Sequence, residues 1–278
     1  MSIQNRTVSQ TTQGIPASDG AGVRLTRLIG HDNLDYIDPF LMLDRFESDN
    51  PDDYIAGFPP HPHRGFETVS YLLEGKMRHK DNQGHEGVIE TGGVQWMTAG
   101  KGIIHSEMPE QRNGLLKGFQ LWVNLPASQK MVPPAYQEFS ADRLGKESRD
   151  GAQITLITGE SSNGTQGPVK NDYIRPIFWD VKLEQGAQFE EPIDVSYSSF
   201  IVVVNGELNV EGTTVKQNQV AVLTDGNNLK ITGTQDSNQF LLIAAQPLEE
   251  PIARGGPFVM NTEAEIEQAF NDYRNGQF

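Results

Sequence analysis

The chain is predicted to be all-β, built as two strand-rich halves in tandem and closed by a single helix. Three observations carry that expectation. The 278 residues include 28 Gly and 16 Pro, which punctuate many apolar runs too short for helices. A series of strand-and-turn segments stops at Pro126 and a second starts at Ala152, so pattern and length agree on two domains. Helical periodicity surfaces only after Asn261.

Taken in order, GVRLTRLIG (22–30) reads as a strand and HDNLDYIDPFLMLDRFESD (31–49) as a loop. RGFETVSYLLEG (64–75) mixes alternation with a continuous apolar run, the pattern of a strand partly buried on both faces. A polar turn, DNQGHEG (81–87), precedes the strand GVQWMTAG (93–100). GLLKGFQLWVNLP (114–126) puts Phe119, Leu121 and Val123 on one face and ends at Pro126. Residues 131–148, with Pro133-Pro134 and a charged stretch, read as a linker between domains at 1–130 and 149–278. The second half repeats the scheme in AQITLITG, IFWDVKLE, SSFIVVVNGELNVEG, QVAVLTDG, NLKITG and QFLLIAA, which suggests an internal duplication. In the tail, Thr262 and Glu265 fit a capping box, Ile266, Ala269, Phe270 and Tyr273 form one helical face, and Gly276 marks the stop. Such a helix needs a barrel to dock on.

With 22 Lys plus Arg against 37 Asp plus Glu, the net charge is −15, which repels phosphate backbones and argues against direct nucleic-acid binding. The absence of Cys rules out disulfides and thiolate ligands, so any metal must be held by nitrogen and oxygen. The N-terminus lacks a signal or transit pattern, and no apolar run approaches the roughly 20 residues of a membrane span. A cytoplasmic protein without a membrane partner is expected.

Two short motifs carry chemistry: His61-Pro62-His63 and His105-Ser106-Glu107. Each places two metal-binding side chains at i and i+2, on one face of a strand and about 6.5–7 Å apart along it. Three imidazoles and a carboxylate on neighbouring strands would hold one ion and leave coordination positions open, which suits an iron-type centre better than a closed zinc site. These pairs use three of the six histidines. The other three, His31, His79 and His85, lie in polar loop or turn sequence and are expected to be exposed. Gly100-Lys101-Gly102 lacks the frame of a phosphate loop and reads as the tight turn that delivers His105.

The stretches GFPPHPHRGFETVSYLLEG and GGVQWMTAGKGIIHSEMPE strongly resemble the pirin family, two-barrel members of the cupin superfamily. DPFLMLDRF and GPFVMNTEAEIEQAFNDY extend the likeness over most of the chain. The resemblance implies two cupin barrels, of the jelly-roll type, with a C-terminal helix. It also implies one divalent metal in the N-terminal barrel, usually iron, on His61, His63, His105 and Glu107. Mn, Co, Ni, Cu and Zn suit the same donors. The general cupin pattern would instead take its carboxylate from Glu67, but Glu107 shares the strand face of His105, leaving Glu67 to hydrogen-bond around the ligands. Pro60 departs from the Asp that many pirins carry before the first motif. Matching Thr224-Asp225-Gly226 to Thr98-Ala99-Gly100 sets Ile231 and Gly233 opposite His105 and Glu107, so the second barrel cannot repeat the site.

Bacterial relatives of this kind resemble quercetin 2,3-dioxygenases, which open a flavonol with O2 and release CO. For this chain that implies a flavonol substrate, Glu107 as proton acceptor, and Phe58, Phe66, Trp96 and Met97 as candidate pocket walls. The family resemblance also implies a rival role, a metal-dependent regulator that binds a transcription factor or a metabolic enzyme.

Overall fold

The computed structural model describes residues 2–278, and the chain divides into two compact units. One, the site barrel, takes residues 15–30, 40–142 and 248–278. The other, the apolar barrel, takes the residues up to Gly14 together with 31–39 and 143–247.

The site barrel has a seven-stranded antiparallel sheet in the order Ala135–Phe139, Val94–Thr98, Phe66–Glu74, Leu116–Asn124, Phe40–Ser48, Val23–Ile29, Ile15–Asp19. Its second sheet has four strands, ordered Phe58–His63, Ile103–Pro109, Lys76–Asp81, Glu86–Glu90. Phe40–Ser48 was expected to lie in a loop, and it is a central strand: its run Phe40-Leu41-Met42-Leu43 is buried on both faces and so shows no alternation. Phe58–His63 carries Pro59, Pro60 and Pro62 and sits at a sheet edge, where a missing N–H costs no ladder bond. The first histidine pair is thereby laid against the second, with His61 directly opposite His105.

The tail closes this unit. A hairpin of Ala253–Gly255 and Phe258–Met260 leads into the helix Glu263–Arg274, whose capping box is formed by Thr262 and Glu265. Ile266 and Ala269 bury against Ala253, Phe258 and Met260. Arg64, the residue after His63, donates to Asp272 on the helix at 2.7 Å and stacks on Phe278 at 4.4 Å. At Gly65 (φ +88°) a Cβ would stand 2.0 Å from the Val259 carbonyl oxygen, so only glycine lets the hairpin approach this close. Lys130, fully buried, donates from Nζ to Gly65 O, Asn124 Oδ1 and Val259 O at 2.7–3.0 Å, tying the same segments from below.

The domain boundaries therefore differ from those expected. The terminal helix groups with the site barrel rather than with the second half. The expected linker at 131–148 holds two edge strands: Ala135–Phe139 pairs with Val94–Thr98, and Gly145–Arg149 with Ala152–Thr158. Near the start of the chain, Val8–Thr12 pairs with Val220–Leu223 and edges the apolar barrel's sheet.

The apolar barrel follows the same plan, seven strands and four. Its large sheet runs Val8–Thr12, Val220–Leu223, Ser198–Asn205, Ser237–Ala245, Ile177–Glu184, Ala152–Thr158, Gly145–Arg149. The small one runs Gln188–Pro192, Asn228–Gly233, Glu207–Val210, Thr213–Lys216. One cluster that includes Trp179, Phe189, Leu208, Ile231 and Phe240 fills the space between them. Among the described residues no helix is long and apolar enough to cross a membrane.

Candidate metal centre

His61, His63 and His105 converge, and their donor atoms all lie within 4.8 Å of one another. His61 sits opposite His105 in the ladder and His63 opposite Ile103, so the three rings gather with centroids 4.5–5.1 Å apart. A carbonyl oxygen only accepts, so the 2.8 Å contact of His61 Nδ1 with Pro59 O fixes the proton on Nδ1 and frees Nε2 for an ion. His63 Nδ1 faces Pro257 O at 3.4 Å in the same sense. His105 is 1% exposed, and neither of its ring nitrogens has a hydrogen-bond partner. A buried orphan imidazole costs free energy unless something takes its lone pair, and a cation would. Burial and then the neighbouring His61 and His79 hold His105 well below the ordinary imidazole range; burial, His105 and His61 do the same to His63. Both rings are thus neutral, the form that ligates metal. The donor set and the orphan nitrogens fit a divalent ion.

Glu107 shares the inward face of His105, and a shift of register between the two sets it opposite Phe58. Its oxygens do not join the 4.8 Å group of histidine nitrogens. Oε1 accepts from Ser70 Oγ and Oε2 from Gln120 Nε2, both at 2.8 Å. Glu67 is also buried and accepts from Thr98 Oγ1 at 2.7 Å.

His61 and His63 open onto a cavity of about 680 Å³, within the usual range for small-molecule sites, walled by Leu41, Met42, Phe58 and Trp122. Of the four residues expected to line it, only Phe58 does so. Trp96 and Met97 are core side chains, and Phe66 packs behind the site, edge-on to His63 at 5.0 Å and against Trp122 at 4.3 Å.

Residues 22–123 match the family model for pirin, and residues 178–278 the model for the pirin C-terminal cupin domain. The chain belongs to the pirin family. A pirin-like protein of Caulobacter vibrioides is 48% identical, with 98% of this chain and 99% of that one covered. Human pirin is 43% identical, with 94% of this chain and 89% of that one covered. Among solved structures, a quercetin 2,3-dioxygenase of Acinetobacter baumannii superposes with a TM-score of 0.91 at 33% identity, covering 99% of each chain. The fold is thus the tandem cupin of the pirins, a metal-binding architecture, with the three-histidine group in its N-terminal barrel.

Several residues at this pirin site were not singled out from sequence. Ser70 and Gln120 hold Glu107, Trp122 packs on His63, and Pro257 and Lys130 brace the first motif from distant segments. The only local signal was a polar residue inside an apolar strand run, at Ser70 and Gln120. Two of the remaining histidines depart from their expected exposure. His31 and His79 are buried, and His85 is turned toward Glu138. Burial pushes the Glu138 carboxyl up, but His79, Gln95 and His85 outweigh it and hold it at about 2.

Proposed function

We propose that this chain is a metal-dependent dioxygenase that opens a flavonol such as quercetin with O2 and releases CO. The observation that carries the proposal is the convergence of three imidazoles, two of which, His61 and His63, line a cavity of about 680 Å³. The likeness to the Acinetobacter quercetin 2,3-dioxygenase over 99% of both chains supports it. His61, His63 and His105 are the proposed ligands, with Glu107 as the fourth, and iron is the proposed ion. Bound there, such an ion would lower the pKa of a coordinated hydroxyl and bring an electron-rich substrate next to O2.

The chain's own groups supply the rest. Glu107 takes the proton of the flavonol 3-hydroxyl on swinging from Ser70 and Gln120, which hold its carboxylate in the resting protein, toward the cavity. Gln120 also lines the cavity, so the carboxylate stands one hydrogen bond behind the wall the substrate touches. Phe58 and Trp122 offer flat apolar faces for the flavonol rings and exclude water from them.

The test is aerobic incubation of iron-loaded protein with quercetin, following bleaching and CO. The wild type is expected to turn over only with metal bound, and Glu107→Gln to lose about 10²- to 10⁴-fold in kcat. Metal content measured on the same samples separates a lost proton acceptor from a lost ligand. Absence of metal-dependent CO release would overturn the dioxygenase reading and leave a partner-binding role.

A further inference from the structure

A second group of metal-binding side chains lies beside the first site, its His79 directly opposite Glu107 in the ladder. The donor atoms of His79, His85 and Glu138 also lie within 4.8 Å of one another. They come from three segments: His79 from Lys76–Asp81, His85 from the turn before Glu86–Glu90, and Glu138 from Ala135–Phe139 in the other sheet.

Each donor is positioned. Asp81 Oδ1 accepts from the backbone N–H groups of Gln83 and His85, both at 2.8 Å, which fixes the turn that presents His85. Gln95, directly across the ladder from Glu138, donates to Glu138 Oε1 at 2.7 Å and orients the carboxylate. Tyr136 stacks on His85 at 4.2 Å and on His79 at 5.8 Å, holding both rings nearly parallel to its own.

Two further observations point to a ligand. His79 is 1% exposed and neither ring nitrogen makes a hydrogen bond; Nε2 approaches Glu138 Oε1 to 2.6 Å, but off the N–H direction. The residue opposite it, Gly87, leaves room: a Cβ there would lie 2.5 Å from His79 Nε2 and 3.2 Å from Glu138 Oε2. Gly87 has no left-handed backbone to explain it, so the glycine serves space rather than conformation.

We propose that His79, His85 and Glu138 form a second metal site, taking one divalent transition ion of the zinc class through two imidazoles and one carboxylate. Two nitrogen donors exclude a calcium- or magnesium-type site, and a three-ligand set leaves a position for water. The ion would tie the edge strand Ala135–Phe139 to the turn of the four-stranded sheet, so it is a staple between the two sheets of this barrel. The alternative for the same atoms is a carboxylate shared by hydrogen bonds between two imidazoles, with no ion.

The experiment is a Zn²⁺ titration of the full chain, read by elemental analysis after desalting and by calorimetry, with thermal unfolding in parallel. The wild type should bind two Zn²⁺ per chain, and a His61→Ala, His105→Ala variant should keep one. His85→Ala and Glu138→Gln, both at the open side of the cluster, should each weaken the second ion at least about 100-fold and abolish its rise in Tm, while leaving the first ion bound. Gly87→Ala should weaken it without removing a donor. One Zn²⁺ per wild-type chain at saturation, or a second ion indifferent to His85→Ala and Glu138→Gln, would overturn the proposal.

Discussion

His105 and Ile231 stand on corresponding strands, each second in a four-stranded sheet of the same order, yet their surroundings are opposite. His105 pairs across the ladder with His61 and Asp81, whereas Ile231 pairs with Phe189 and Val210. One barrel fills this place with donors and the other with hydrocarbon. The comparison teaches that the fold does not require the site. Between its sheets the apolar barrel holds a large hydrophobic cluster, while the site barrel keeps Glu67, His79, Asp81, His105 and Glu107 buried. Most of those groups are satisfied within the protein: Glu107 by Ser70 and Gln120, Glu67 by Thr98. His79 and His105 are not, and leaving a buried polar group unpaired costs about 1–3 kcal/mol. An ion taken by the three-histidine group would therefore return stability that the metal-free protein lacks at His105.

The largest expected effect comes from breaking the apolar side. Ile231→His puts an imidazole between Phe189 and Val210 with no partner and should destabilise that barrel by about 3 kcal/mol or more, read from the urea midpoint. A loss below about 1 kcal/mol would mean the two interiors differ less than their residues suggest. The converse change is smaller and opposite in sign. His105→Leu should abolish tight metal binding at the three-histidine group yet raise the stability of the metal-free protein by about 1 kcal/mol, because it removes two orphan nitrogens. A metal-free variant less stable than wild type would show that His105 is paired in solution.

Legibility in the sequence followed the same division. The i, i+2 histidines were readable because strand parity is local, and His61, His63 and His105 do converge. The carboxylate was less so: parity puts Glu107 on the right face, but its hydrogen bonds depend on Ser70 and Gln120 from two other strands. Phe40–Ser48 escaped because a strand buried on both faces has no alternation to read. Trp96 and Met97 read as pocket candidates in the sequence because period-two patterning says a side chain is buried, not whether a cavity or a neighbour covers it. His79 and His85 were hidden by the polar turn around them, since what buries His79 is a strand more than 50 residues downstream. The unit membership of the terminal helix rests on Arg64–Asp272 and the hairpin beneath Gly65, contacts of long sequence separation that no local pattern carries.

The smallest effect is a pH dependence set by the three-histidine group of the site barrel. Burial, with the other imidazoles, lowers His63 and His105 well below the ordinary imidazole value of about 6.5 in the folded metal-free protein. The unfolded chain keeps ordinary imidazoles, so below that value it binds more protons than the folded one, and stability must fall as pH falls. Above it both states are neutral at these positions and the contribution is flat. Calorimetric Tm of metal-free protein should therefore decline between about pH 6.5 and 5.5, a window above the titration of ordinary carboxylates. The decline should be shallower in His105→Leu, which has lost one of the two groups, and unchanged in Ile231→Leu, which has lost none. Equal slopes in wild type and His105→Leu would mean that the buried imidazole is not the titrating group, and the contrast between the two interiors would then be one of packing alone.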